Sequence, residues 1–406
     1  MAYIDPGTGT MLFSVVVGGA STVYYLGRKL VMKVKYGTGI KAAKTDIQKK
    51  DIIVFSEGKQ YSKVFSGILD VLDGNDDISV EYWTMDEQDV LLDNDYKNVK
   101  CLFIGDGNKA FVKLNMMNAK VCISTTPGLD VYQWKRSKNV GEYVHIFHSI
   151  DEALGYRAFG LDFYDTVLLV GEFQEYYIRM LEKVRGINEK KLEVVGCTYM
   201  DELLKRKQGE SAEDDNNKNN RTTVLLAPSW GSESILNKFG EEMIDLLNKG
   251  DFNLIIRPHP QSLKVEKELI ERLKNKYTDI TWDFDKDNYQ SLNKADVMIS
   301  DFSSVVFDFA FVFGKPVIYT ETELDLSVYD ASWIDEELWR FKVVKEIGVK
   351  IDKDNIKNLN TIIPQIIKDK KLDETREHLK DDTWAFKGES AKMIATYVTD
   401  AVKNYN

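Results

Sequence analysis

The sequence predicts an α/β protein of two doubly wound, parallel-sheet domains of Rossmann type, preceded by a hydrophobic membrane-attachment helix. Three observations carry this. From Asp51 onward, short β-rich runs alternate with helical ones, the pattern of parallel strands joined by crossover helices. The charged and polar run Lys207–Arg221, KQGESAEDDNNKNNR, interrupts that alternation and reads as a flexible loop or linker. A chain of 406 residues with 43% hydrophobic content can fill two cores. The resulting boundaries are 1–50 for a hydrophobic helix and basic segment, 51–206 for a first Rossmann-like domain, 207–221 for the linker, and 222–406 for a second.

The stretch from Pro6 to Gly27 carries no charge, and a helix from Thr10 to Gly27 would be about 27 Å long, close to the ~30 Å of a hydrocarbon core. No basic region precedes it, which argues against a secretory signal. Arg28, Lys29, Lys33, Lys35, Lys41 and Lys44 follow and would hold the rest of the chain on the cytoplasmic face of the cell membrane. A spanning helix, one lying in the interface and a soluble helix packed on the first domain all fit the pattern, and membrane attachment is the expectation. The net charge of −11 argues against a nucleic-acid partner. Cys101, Cys122 and Cys197 sit in apolar runs without metal-ligand spacing, as reduced core thiols would. Neither a metal nor a cofactor is expected.

In the first half, strands are expected at Ile52–Ser56, Ile78–Trp83, Lys100–Ile104, Val121–Ser124, Tyr143–Phe147, Thr166–Val170 and Leu192–Cys197, with helices at Tyr61–Leu72 and Glu172–Val184. The loop after the first strand offers Glu57, Lys59 and Gln60 to an acceptor, and a solvated helix start explains them equally well. GDGNKA at Gly105–Ala110 lacks a third glycine and reads as a turn and helix cap. In YVHIFHS, alternation puts His145 and Phe147 on one face and His148 at the strand exit, followed by Ser149. A neutral imidazole facing the crevice there can take a proton from an attacking hydroxyl, although a buried structural histidine has the same signature.

In the second half, a strand at Thr222–Ala227 leads into Ser229, Trp230, Gly231 and Ser232, a small-residue turn suited to close approach by phosphate or base. LIIRPHP ends the next strand with Arg257 and with His259 braced by prolines, which disfavour helix before them and hold the histidine extended. A charged helix is expected at Val265–Lys276. Asp296–Thr320, DVMISDFSSVVFDFAFVFGKPVIYT, then reads as strand, polar turn, apolar helix Val305–Phe313 closed by Gly314, and strand. Asp301, Ser303 and Ser304 in its turn are good helix caps, and they are also placed to bind an anion. Arg257 and His259 at one strand end and the serine turn at another could clamp a diphosphate between them, with Arg257 supplying charge and His259, a second catalytic candidate beside His148, supplying a donor or a proton. The segment after Thr320 is acidic, aromatic and irregular, and Ser390–Val402 is a final helix.

RPHP followed by SDFSSVVFDFAFVFGKPVIY resembles the CDP-glycerol glycerophosphotransferase family of teichoic-acid synthesis, over about Asp51 to the C-terminus. The pairing of HP and SS is also similar to that in bacterial transferases that use CMP-activated sugars. The resemblance implies a GT-B scaffold whose last helix crosses back to the first domain, with residues 51–206 on the acceptor side and residues 222–406 binding the nucleotide donor. It further implies transfer of a polyol phosphate from CDP-glycerol or a related CDP-polyol to a hydroxyl of a lipid-linked or polymeric acceptor, releasing CMP. The family places a catalytic histidine in a Trp-His-Gly motif, where this chain has Phe147-His148-Ser149. A nucleotide-sugar glycosyltransferase and a non-catalytic nucleotide-binding protein of envelope assembly are the alternatives.

Overall fold

A computed structural model of the chain describes residues 49–209, 221–321 and 325–405. The expected membrane helix and basic segment, and most of the expected linker, lie outside these residues. Among the described residues no helix is long and apolar enough to cross a membrane.

Two parallel sheets organise the chain. The first contains β1 (Lys50–Ser56), β2 (Val80–Thr84), β3 (Val99–Phe103), β4 (Ala119–Ser124), β5 (Val140–Ile146), β6 (Thr166–Leu169) and β7 (Lys191–Val194), in the order β3-β2-β1-β4-β5-β6-β7. The second contains β8 (Thr222–Ala227), β9 (Phe252–Ile256), β10 (Thr281–Trp282), β11 (Val297–Ser300), β12 (Val317–Thr320) and β13 (Gly348–Ile351), in the order β10-β9-β8-β11-β12-β13. Both orders reverse once, between β1 and β4 and between β8 and β11. At such a switch point the connections depart to opposite sides and leave a crevice beyond the strand carboxyl ends.

The central strands are apolar on both faces because helices cover both sides of the sheet. Ile52 and Val54 pack with Val64, Phe65 and Ile68 of the helix Ser62–Asp73. Ile53 and Phe55, on the opposite face, belong to a core that continues through Phe307 and Trp339 of the second half. The last helix, Ser390–Lys403, returns to the first sheet and buries Ile394, Val398 and Val402 against it. Its entry is fixed by Asp201, whose carboxylate accepts from the backbone N–H groups of Gly388 and Ser390, both at 2.8 Å.

Three elements differ from expectation. The helix Thr198–Gly209 runs into the expected linker, and Lys207 donates to the carbonyl of Val312 at 2.9 Å, capping a helix end of the other half. The apolar helix after the serine turn is α-helical only over Val305–Phe307 and continues as a π-helical turn, Asp308–Phe313, before Gly314 ends it at a left-handed φ of 69°. The charged helix begins at Lys267, because the backbone leaves helical geometry at Glu266 (φ −125°, ψ 28°), which separates it from a short helix at Ser262–Val265.

The returning helix makes a testable demand on stability. Ile394→Ala should cost about 2–5 kcal/mol in urea unfolding, the usual range for truncating a buried isoleucine. In hydrogen exchange, the loss of protection should centre on β1 and β4, and loss confined to the second sheet would contradict the packing described.

Candidate functional site

The switch points gather the candidate residues. Glu57 follows β1, Thr125 follows β4 and His148 follows β5; Ser229 follows β8, His259 follows β9 and the turn Asp301–Ser304 follows β11.

His148 is half-buried. Its Nδ1 lies 3.1 Å from the hydroxyl of Thr125, and its ring meets Tyr61 edge-on with centroids 5.2 Å apart. Burial lowers its pKa to about 4, so the ring is neutral at physiological pH with Nε2 facing away from Thr125. His145 is fully buried, bonded through Nε2 to Tyr156 at 3.0 Å and edge-on to Phe147, and burial pushes it down to about 3. It is a core histidine. Glu57 is exposed on its turn, and partial desolvation by the neighbouring protein surface raises its pKa. Gln60 bonds Tyr61, whereas the ammonium of Lys59 is engaged by Gln88 at 2.6 Å and by Asp86 at 3.6 Å, which turns it from the crevice. Ser149 is half-buried beside His148.

On the second sheet the half-buried hydroxyls of Ser303 and Ser304 have no protein partner among the described residues, so both are available to a ligand. His259 accepts at Nδ1 from the backbone N–H of Gln261 at 3.1 Å, which leaves the proton of the neutral ring on Nε2 as a donor. Burial lowers its pKa against the opposing pull of Glu266.

Four expected donor contacts have internal partners. Arg257 pairs with Asp283 through Nη1, and its Nη2 donates to the carbonyl of Asp285 at 2.6 Å; these contacts hold the end of β10. Asp301 is buried and accepts from the N–H groups of Ser229 at 2.9 Å and Ile235 at 3.0 Å, so it braces the loop after β8, where a carboxylate facing phosphate would repel it. Ser229 is itself buried, with its N–H thereby committed, and the N–H of Gly231 donates to Glu266 at 3.0 Å. Trp230, at 43%, and Ser232 are the exposed residues of that turn.

Arg340, in the irregular segment to which the sequence assigned no role, joins the two sets. It opens the helix Trp339–Ile347, donates through Nη2 to Asp151 just beyond His148, and donates through Nε to Glu152 at 3.2 Å. Its Nη1 points to the carbonyl of Phe302, directly before Ser303, at 3.4 Å. Burial and the neighbouring Glu152 raise the pKa of Asp151, because one guanidinium cannot neutralise two carboxylates in a dry site. Gln174 holds the Asp151 carbonyl from below. Among the described residues no cluster of His, Cys, Asp and Glu could hold a metal ion. A larger cavity, about 910 Å³, lies at the amino ends of β5–β7 beside Lys191 and Tyr397, away from these side chains.

Two Rossmann-ordered sheets joined in this way are an architecture shared with known structures. Wall teichoic acid polymerase TagF matches with a TM-score of 0.57 at 16% identity, over 94% of this chain and 96% of that one. A TagF variant with CDPG matches at 0.58 and 13% identity, over 87% and 89%. A UDP-N-acetylglucosamine 2-epimerase matches at 0.56 and 13% identity, over 89% and 98%. At these identities the likeness is one of fold. The sequence is more specific: residues 40–333 match the family model of CDP-glycerol:poly(glycerophosphate) glycerophosphotransferases, and the chain belongs to that family. It is also 32% identical over 83 residues to the minor teichoic acid biosynthesis protein GgaB of Bacillus subtilis (strain 168), a match covering 20% of this chain and 9% of GgaB. The chain therefore spans under a tenth of the length of that curated relative.

The buried neutral histidine has a pH signature. His148 has a folded pKa of about 4, below the unfolded value of about 6.5, so the unfolded state binds the extra proton and stability falls as pH drops from about 6.5 to 4. His148→Asn should flatten that loss by roughly 1–3 kcal/mol, a shift of this size discounted for partial exposure. Urea titrations of both proteins at pH 7 and pH 5 check it, and parallel losses would place His148 in water.

Proposed function

We propose that the chain transfers glycerol phosphate from CDP-glycerol to a hydroxyl of a teichoic-acid-type acceptor, lipid-linked or polymeric, and releases CMP. The acceptor oxygen attacks the phosphorus that bears glycerol, the bond from that phosphorus to the CMP phosphate oxygen breaks, and the acceptor proton passes to Nε2 of His148. Ser303 and Ser304 hold the donor phosphates, His259 adds an N–H donor, and Trp230 is placed for the nucleotide. The work is then mainly positioning and charge stabilisation. The observation that carries this reading is the Arg340 bridge, since it puts the loop of an available imidazole and a turn of two unengaged hydroxyls on one crevice.

The attachment of the chain to the cytoplasmic face of the membrane through residues 1–50 is part of the proposal. It is supported by the uncharged run and the basic residues after it. The two-domain GT-B arrangement is supported by the likeness in fold to TagF, and the placement of donor in the second half and acceptor in the first by the free hydroxyls of Ser303 and Ser304 and by the neutral ring of His148.

Release of CMP from CDP-glycerol in the presence of a glycerophosphate-primed acceptor tests the function. His148→Ala should lower kcat by about 10²–10⁴, the range for losing a general base, with CDP-glycerol affinity retained. The double variant Ser303→Ala/Ser304→Ala should weaken CDP-glycerol by at least tenfold, each hydrogen bond to a charged group being worth roughly 1.5–3 kcal/mol. CMP released from a CMP-sugar and not from CDP-glycerol would establish a glycosyltransferase instead.

A further inference from the structure

We propose that Arg340 is the cation that meets the donor's phosphates, aimed at them by Asp151 and Glu152 from the other half of the chain. The inference rests on the reading above, in which a diphosphate-bearing donor sits at the serine turn.

A cation beside a diphosphate strengthens its binding through charge-assisted bonds, and the one expected from the sequence, Arg257, is committed to Asp283 and Asp285. Arg340 shares a small cavity with Phe302 and Ser303. Its side chain is 16% exposed, enough to reach a ligand and little enough for a charge there to act at low dielectric. The directions of its N–H groups matter most. Nε donates to Glu152 and Nη2 to Asp151, while the backbone N–H of Arg340 donates to the second oxygen of Glu152 at 3.2 Å. A guanidinium is a rigid planar fork, so fixing these edges also fixes the remaining one. That edge is Nη1, and its contact with the Phe302 carbonyl, at 3.4 Å, is long. A phosphate oxygen on the Ser303 and Ser304 hydroxyls would offer Nη1 a shorter, charge-assisted bond while the acidic pair keeps its hold. Trp339 adds rigidity by stacking on Phe173 at 4.2 Å and meeting the tilted ring of Phe307 at 4.8 Å, one ring from each half.

A purely structural strut makes a different prediction. Its loss would disturb all ligands alike, whereas loss of a phosphate contact should scale with the phosphates a ligand carries.

Cytidine, CMP and CDP-glycerol binding are measured by calorimetry, with NMR for the weak nucleoside, on the full chain and on Arg340→Met and Arg340→Lys. CDP-glycerol should weaken about 10- to 100-fold in Arg340→Met, matching one lost charged hydrogen bond. Cytidine should be unchanged, CMP intermediate, and Arg340→Lys should recover part of the loss without the fork. Should Arg340→Met fail to fold, Asp151→Asn keeps the guanidinium but loosens its aim, and CDP-glycerol should weaken several-fold with cytidine unchanged. Unaltered CDP-glycerol affinity, or equal weakening of cytidine and CDP-glycerol, overturns the inference alone. Wild-type protein that binds no CDP-glycerol overturns the reading of function and this inference with it.

Discussion

One arginine facing two acidic side chains in a dry junction is the constraint on which the site depends. Removing three charged groups from water is costly, and a buried ion pair is not by itself a source of stability. What it supplies is registration. Arg340 reaches Asp151 and Glu152 in one geometry, and that geometry fixes where the loop after β5 lies relative to the turn after β11. Other cross-ties act in the same sense. Asp330 is fully buried, pairs with Arg185 and accepts from the N–H groups of Phe159 and Gly160. Asp287 takes both Lys63 and Arg206 at 2.7 Å. Each joins a carboxylate and a cation from different halves, so the two sheets are held by specific pairs as well as by the shared apolar core.

The protonation states fit a site awaiting a charged donor. His148 and His259 are both shifted toward the neutral form, by burial, and among the described residues no carboxylate is bonded to either ring. A neutral His148 can accept a proton, and the imidazolium that forms would be stabilised by the negative charge of the bound donor. The partner of Nδ1 is a hydroxyl, which can donate or accept and so permits either tautomer of the ring.

The sheets were legible because their strands are uninterrupted apolar runs: Ile52–Phe55 and Val297–Ile299 allow little besides buried parallel strands. The serine turn was legible as well, since its residue types sit at a strand end. Orientation was not. Asp301 and Gly231 carry the residue types of an anion site, yet a neighbouring loop uses the carboxylate of the first and a glutamate thirty-five positions away uses the N–H of the second. Lys207 looked like linker because it begins a charged run, yet it lies in the helix Thr198–Gly209 and its ammonium caps the carbonyls of Val312 and Phe313. Arg340 lay in a segment with no periodicity, and its partner Asp151 is 189 positions away. Local patterns report burial and backbone shape; they do not report which distant charge a side chain will meet.

The most direct measurement is a crystal structure of the full chain with CDP-glycerol bound. The account predicts the diphosphate on the hydroxyls of Ser303 and Ser304, with the glycerol-bearing phosphorus open toward Nε2 of His148. A diphosphate seated in the larger cavity beside Lys191 and Tyr397, or one held beyond reach of the loop after β5, would contradict it.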